Sequence, residues 1–81
     1  MDKTLTSPRH RALIEQLIAA RHRRGMTQTQ LATALNEYQS FVARLESGQR
    51  RVDVVELIRL SDILGFAPDE MVKAVAQVAE A

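Results

Sequence analysis

The segment TQTQLATALNEYQSFVARLESG, which begins at Thr27, limits the possible folds more than any other part of the chain. Its first four residues match a capping box, in which Thr27 and Gln30 bond each other's backbone N–H groups and begin a helix. Asn36 readily takes the left-handed conformation that ends a helix, so this helix is expected at about 28–35. A second helix is expected at about 38–46. The segment therefore has the pattern of two short amphipathic helices joined by a tight polar turn.

The two helices are expected to have one apolar face and one polar face. The inward positions are Leu31, Ala32, Leu35, Phe41, Val42 and Leu45. Ala32 is small because the second helix passes over it at close range. The side chains left facing away from the core are Gln39, Ser40, Ala43, Arg44 and Ser47. Gln can pair with adenine and Arg with guanine through two hydrogen bonds each, so this face is suited to reading base edges. An ordinary solvated helix face would have a similar composition.

Capping and helix-ending residues predict three further helices. Ser7-Pro8 begins a helix that Gly25 ends, Asp53 begins one that Gly65 ends, and Ala67-Pro68 begins the last. The five helices are expected at about 8–24, 28–35, 38–46, 54–64 and 68–79. The fourth is apolar on more than one side and is expected at the centre of the core. No segment has a strand pattern, so the sequence predicts an all-α domain over 7–81 after a flexible arm at 1–6.

The composition limits the chemistry available to the chain. Aromatic residues make up 4% of the 81 residues, so the core is mostly Leu, Ile, Val and Ala, which favours helices packed on helices. There is no cysteine, which excludes disulfides, thiolate metal sites and a Cys nucleophile. His10 and His22 have neither the spacing nor the partners of a zinc site and are expected at the surface. We expect no metal, no cofactor and no enzymatic activity.

No apolar run approaches the length of about 20 residues that a membrane span needs, and the N-terminus lacks the apolar core of a signal peptide. A cytoplasmic protein without a membrane partner is therefore expected. Charge is unevenly distributed along the chain, although its formal total is only +1. Residues 1–51 hold nine Lys or Arg and four acids, whereas residues 52–81 hold two Lys or Arg and six acids. This asymmetry favours a basic face for an anionic partner, although small domains also show uneven charge by chance.

The stretch from Leu13 to Val72 resembles the phage-repressor, Cro-like helix-turn-helix family, whose members include XRE-type transcriptional regulators. The resemblance covers about three quarters of the chain. The matching positions are Arg21, Gly25-Met26-Thr27-Gln28, Leu31-Ala32, Gln39-Ser40, Val42, Leu45-Glu46-Ser47-Gly48, the basic loop at 49–51, Leu57 and Leu64-Gly65. It implies a compact five-helix, lambda-repressor-like domain with its helix-turn-helix at the second and third helices.

The resemblance also implies roles for individual residues. Base contacts are expected from Gln39, Ser40, Ala43 and Arg44, and phosphate contacts from Gln28, Tyr38, Ser47, Gln49, Arg50 and Arg51. Arg21 and Glu46 match a partly buried ion pair that ties the first helix to the third. Two positions depart from the family: Glu37 lies where an apolar residue is usual, and Tyr38 where Ser or Thr would cap the recognition helix. The Tyr38 hydroxyl could reach a phosphate, or its ring could cover apolar surface.

These expectations combine into a sequence-specific, DNA-binding transcriptional regulator whose partner is double-stranded DNA. Such regulators commonly bind pseudo-palindromic operators as homodimers. The expected dimer interface is on the fifth helix, at Phe66, Met71, Val75 and Val78, although these residues could instead close the core of their own chain. The alternative function is a protein-interaction module, such as an antitoxin or anti-activator, which uses the same scaffold to bind a protein partner.

Overall fold

The structure is a computed structural model that describes residues 7–80, so the expected arm at 1–6 lies outside it. The described residues form five α-helices and no strand. These are α1 (Pro8–Arg23), α2 (Gln28–Leu35), α3 (Gln39–Glu46), α4 (Val54–Leu64) and α5 (Pro68–Ala76). The expected all-α, five-helix fold class is confirmed.

Short-range hydrogen bonds begin most of these helices. The Ser7 hydroxyl accepts from the backbone N–H of His10 at 3.0 Å, which caps α1. The capping box of α2 is complete, with Thr27 and Gln30 bonding each other's backbone N–H groups at 2.8 and 3.1 Å. Asn36 ends α2 with a φ of 58°, in the left-handed region that Asn tolerates. Local sequence therefore determines where α1 and α2 begin and where α2 ends.

Three helix ends differ from expectation. α1 stops one residue early, at Arg23, and α3 starts one residue late because Tyr38 is its N-cap. α5 ends at Ala76, and its expected extension to residue 79 was wrong. Beyond this end the chain is held by Arg9 of α1, which donates from Nε to the Val78 carbonyl at 2.9 Å and from Nη2 to the Ala76 carbonyl at 3.1 Å. A guanidinium from another helix thus satisfies carbonyls at the end of α5.

The core is aliphatic and receives residues from all five helices. Its buried members are Ile14, Leu17, Ala20, Leu31, Ala32, Leu35, Val42, Leu45, Leu57, Leu60, Leu64 and Met71. α4 was expected at the centre of the core, and it contributes Leu57, Leu60 and Leu64, but its other apolar residues do not face the core. Val54 and Val55 on its other side are 71% and 77% exposed. The reason is that α4 packs mainly against α2 and α5, which cover only one of its faces.

The two histidines differ in their surroundings. His22 is exposed, but His10 is only 7% exposed, so the expectation of two surface histidines was wrong for His10. His10 lies one turn before Ile14 on the buried stripe of α1, which carries its ring inward. Residues 7–80 contain no group of three or more His, Cys, Asp or Glu side chains that could hold a metal ion. None of the helices in this range has the length and apolar character to cross a membrane.

Candidate nucleic-acid interface

The turn between α2 and α3 sets the angle at which the two helices cross. Ala32 is buried at the crossing, and its carbonyl accepts from the Glu37 N–H at 2.9 Å. The Asn36 N–H donates to the Thr33 carbonyl at 3.1 Å. The small side chain and the left-handed turn residue together allow α3 to lie close across α2.

α3 has a buried apolar side and a polar outer side. Val42 and Leu45 are buried and hold the helix against the core. Of the four expected base-contact residues, Gln39, Ser40 and Arg44 are exposed and Ala43 is half-buried. The structure therefore brings these four residues together on the side of α3 that faces away from the core.

An ion pair between Arg21 of α1 and Glu46 of α3 holds the recognition helix from behind. Arg21 Nε lies 2.6 Å from Glu46 Oε2, and Nη2 lies 2.9 Å from Oε1. Arg21 Nη1 also donates to the Met26 carbonyl at 2.8 Å. The two side chains are only 10% and 6% exposed. Two parallel bonds to one carboxylate are the strong, geometrically specific form of such a pair.

Gln28 extends this ion pair to the polar face of α3. Its Nε2 donates to Glu46 Oε1 at 3.0 Å, and its Oε1 accepts from Gln39 Nε2 at 2.8 Å. The Gln39 amide keeps its oxygen and one N–H for other partners, which is the pair of groups that adenine requires for two hydrogen bonds. Glu46 thus positions a residue at the start of α2 and, through it, one at the start of α3.

The basic loop after α3 is anchored by Arg50. Its Nη1 lies 2.5 Å from Glu56 Oε1 in α4, and its guanidinium carbon lies 4.3 Å from the centre of the Phe41 ring. Ser47 donates from its hydroxyl to the Arg44 carbonyl at 3.1 Å. Ser47, Gln49 and Arg51 are exposed, whereas Arg50 is half-buried. Among the expected phosphate contacts, Arg50 is therefore also a link between α3 and α4.

The two residues that depart from the family pattern both lie in the turn and are exposed. Tyr38 is 84% exposed, and its side chain makes no hydrogen bond to the first turn of α3. Its ring therefore does not cover apolar surface, which was one of the two roles considered for it. Glu37 is exposed beside it.

The residues expected at a dimer interface are not equally available. Met71 is buried in the core of its own chain, which leaves little of its side chain for a partner. Phe66, Val75 and Val78 are half-buried. Phe66 packs against the same core, which leaves α5 with little free apolar surface at these positions.

Sequence reasoning missed two links within this site. The hydrogen bond between Gln28 and Gln39 joins residues 11 positions apart in different helices. The Arg50 contact with Phe41 and Glu56 likewise depends on how the loop folds back. In the sequence, these links are signalled only by long polar side chains at the starts of α2 and α3 and in the basic loop.

Comparison with known proteins agrees with this geometry. A family model described as a helix-turn-helix domain matches residues 12–74. A solved structure of an XRE-family like protein from Pseudomonas syringae pv. tomato str. DC3000 is similar at 35% sequence identity and a TM-score of 0.77. The similarity covers 84% of this chain and 83% of that one. A search of curated proteins gives no match. The chain belongs to the XRE-type helix-turn-helix family of DNA-binding regulators.

Proposed function

We propose that this protein is a sequence-specific transcriptional regulator that binds a pseudo-palindromic operator as a homodimer, with α3 in the major groove. The observation that carries the proposal is the linked set Arg21, Glu46, Gln28 and Gln39. A buried ion pair orients one glutamine, and that glutamine orients the next at the exposed start of α3. Such fixed polar groups lose little conformational entropy when they meet a base edge.

Base reading is assigned to the outer side of α3. Gln39 would pair with adenine through its amide, and Arg44 with guanine O6 and N7. Ser40 would accept or donate at either kind of base, and Ala43 would contact a thymine methyl group. Each of the four side chains suits a different group on a base edge. Each is therefore expected to set the base preference at its own position in the operator.

Backbone contacts are assigned to the residues on both sides of α3. Gln28 lies at the N-terminus of α2, where free N–H groups and the helix dipole favour a phosphate. Tyr38, Ser47, Gln49 and Arg51 are exposed around α3 and carry donors for phosphate oxygens. Arg50 holds Glu56 through Nη1, which leaves its other N–H groups for a phosphate.

A second function is favoured by one observation at the turn. The large aromatic side chain of Tyr38 stands exposed next to the acidic Glu37, which phosphate would repel. An exposed aromatic residue is typical of the centre of a protein interface. The alternative is therefore a protein-interaction module, an antitoxin or anti-activator, whose partner docks at this turn.

Selection of bound sequences from a random double-stranded DNA library separates the two functions. The library is bound at low and at moderate salt, and the enriched sequences are compared. We expect a two-part motif whose halves are related by inversion and centred about 34 Å apart. Substitution of both Gln39 and Arg44 by Ala is the matched control and should abolish the enrichment. If no sequence is enriched at either salt, the regulator proposal fails and the protein-interaction proposal stands.

A further inference from the structure

The C-terminus of α2 is held by a side chain from α4. Arg59 donates from Nη2 to the carbonyl of Leu35, the last residue of α2. The final carbonyls of a helix have no N–H partner within that helix, so they bind water or a group from elsewhere. The last turn of α2 contains no basic residue of its own. Arg59 therefore supplies both the donor and the positive charge that favour a helix C-terminus.

The turn beside this contact lies at the surface of the domain. Residues 36–40, which run from the turn into the start of α3, are all exposed. The Asn36 and Glu37 N–H groups bond back to carbonyls of α2 itself, so these bonds shape the turn without tying it to another helix. The Tyr38 side chain makes no hydrogen bond to the first turn of α3. The Arg59 bond is thus a direct tie between the turn and the helix behind it.

A second contact connects α4 to the first turn of α3. Glu56 lies three residues before Arg59, so the two side chains are neighbours on the surface of α4. Glu56 binds Arg50, whose guanidinium stacks on Phe41, the third residue of α3. α4 is therefore connected to α3 in two places, through the turn that precedes it and through its first turn.

We infer that Arg59 is a positioning residue for base reading by Gln39. The inference rests on the proposed function, because it concerns the base contact assigned to Gln39. Gln39 follows the turn directly, so a shift of the turn moves its amide relative to a base edge. Two hydrogen bonds to adenine require both groups of the amide within narrow limits of distance and angle. Arg44 lies further along α3, near the end that the Arg21–Glu46 pair holds, and depends less on Arg59.

Two other roles for Arg59 predict different results. As a phosphate contact, it would strengthen binding to every DNA sequence and add to the salt dependence. As a purely structural contact, it would raise the melting temperature and leave the base preference unchanged. A positioning residue raises the affinity for the operator and sharpens one base position, without effect on random DNA or on the salt dependence.

Arg59→Met tests the inference, because it removes the guanidinium but keeps an unbranched aliphatic side chain. Lys73→Met removes one exposed positive charge from α5 and is the matched control. Sequences are selected from random DNA with both variants, and Gln39→Ala and Arg44→Ala identify the operator positions that those two residues read. We expect Arg59→Met to lose the preference at the Gln39 position and to keep it at the Arg44 position, whereas Lys73→Met keeps both. An unchanged preference at the Gln39 position would overturn the inference.

Fluorescence anisotropy with operator and random probes gives the second readout. We expect Arg59→Met to bind the selected operator at least about fivefold more weakly, which is the lower limit for a lost base contact, and random DNA with less than about a twofold change. Equal losses on both probes, with a salt slope smaller by about 0.9 for each copy bound, would identify a phosphate contact and overturn the inference. Circular dichroism establishes that the variants are folded. Arg59→Lys, whose ammonium lies one bond nearer to the main chain, is the second variant if Arg59→Met does not fold, and the same losses are expected.

Backbone dynamics test the role of Arg59 without DNA. Nuclear magnetic resonance relaxation gives order parameters for the amides of Glu37, Tyr38 and Gln39. We expect about 0.85, the value of a rigid backbone, in the unmodified chain and a fall toward about 0.6 in Arg59→Met. The amide of Leu45, at the other end of α3, is the internal control and should not change. Unchanged order parameters at the turn in Arg59→Met would overturn the inference.

The outcomes for Arg59 and for the proposed function are distinguishable. If the turn loosens in Arg59→Met but the unmodified chain selects no DNA sequence, the hold of Arg59 on the turn stands and the regulator proposal fails. If a motif is selected and Arg59→Met retains it unchanged, the regulator proposal stands and the role of Arg59 in base reading is wrong.

Discussion

At the scale of single residues, Glu46 determines the geometry of the candidate interface more than any exposed side chain. Its carboxylate accepts from Arg21 and from Gln28, so one buried group connects α1, α2 and α3. A buried charge is tolerable only when it is paired, because its removal from water costs several kcal/mol. The exposed residues that would meet DNA depend on this pair for their position.

We expect Arg21→Ala to lower the free energy of unfolding by about 3–5 kcal/mol, because it leaves the Glu46 carboxylate buried without its cation. Urea denaturation followed by circular dichroism measures the loss. Arg23→Ala, at an exposed position two residues further along α1, is the control and should cost at most about 1 kcal/mol. Equal urea midpoints for Arg21→Ala and the unmodified protein would contradict the structural role of the pair.

Two arginines near α3 are expected to act differently on DNA. Arg44→Ala should cost about 1–3 kcal/mol on the selected operator and relax the base preference at one position. Arg51→Ala should weaken operator and random DNA to the same extent, because a phosphate contact carries no sequence information. Fluorescence anisotropy with both probes measures this, and each variant is the control for the other. Equal losses on both probes for Arg44→Ala would count against base reading by that residue.

At the scale of elements, the two helices of the candidate helix-turn-helix differ in how their N-termini are capped. Tyr38 occupies its N-cap without a side-chain hydrogen bond, whereas Thr27 completes a capping box at α2. A helix that lacks a cap leaves N–H groups at its first turn without an intrahelical partner. An N-terminus of this kind, beside an exposed phenol, is consistent with a ligand that supplies the missing acceptor.

Tyr38→Ser is expected to raise the free energy of unfolding by about 0.5–1 kcal/mol, because Ser can accept from the first turn of α3. The same substitution should weaken DNA binding if the Tyr38 hydroxyl contacts a phosphate. Thermal unfolding and anisotropy measure the two effects. Tyr38→Phe separates them, since it removes only the hydroxyl and should leave stability unchanged. A Tyr38→Ser variant that is both less stable and unchanged in DNA affinity would refute this assignment.

At the scale of the whole molecule, charge and apolar surface are divided between two regions. The N-terminal 51 residues hold most of the basic side chains and include α3 and the basic loop. The exposed apolar residues Val54, Val55 and Ile58 of α4 follow this region. DNA binding through the basic region should therefore weaken as the salt concentration rises, because salt screens charge.

We expect the logarithm of the DNA association constant to fall linearly with the logarithm of the salt concentration. Removal of one phosphate contact per protomer by Arg51→Ala should reduce the slope by about 0.9 for each copy bound. Titrations at four or more salt concentrations measure the slope for the unmodified chain and for the variant. A slope unchanged by Arg51→Ala would show that this residue does not neutralise a phosphate.

The sequence by itself determined the helices and their turns. Capping residues, apolar spacing and left-handed turn residues act over three or four positions, so Thr27, Asn36 and Asp53 could be interpreted without a fold. The resemblance to a known family added the Arg21–Glu46 pair and the residues of the candidate interface. None of these inferences required knowledge of how distant segments meet.

Tertiary structure alone decided which side chains are buried or shared between helices. Arg9 binds the Val78 carbonyl, 69 positions away, and Gln28 meets Gln39 across a helix crossing. The burial of His10 and the exposure of Val54 and Val55 also depend on which neighbours cover each helix. Local sequence specifies the conformation of a segment, whereas burial and long-range hydrogen bonds depend on the packing of all five helices together.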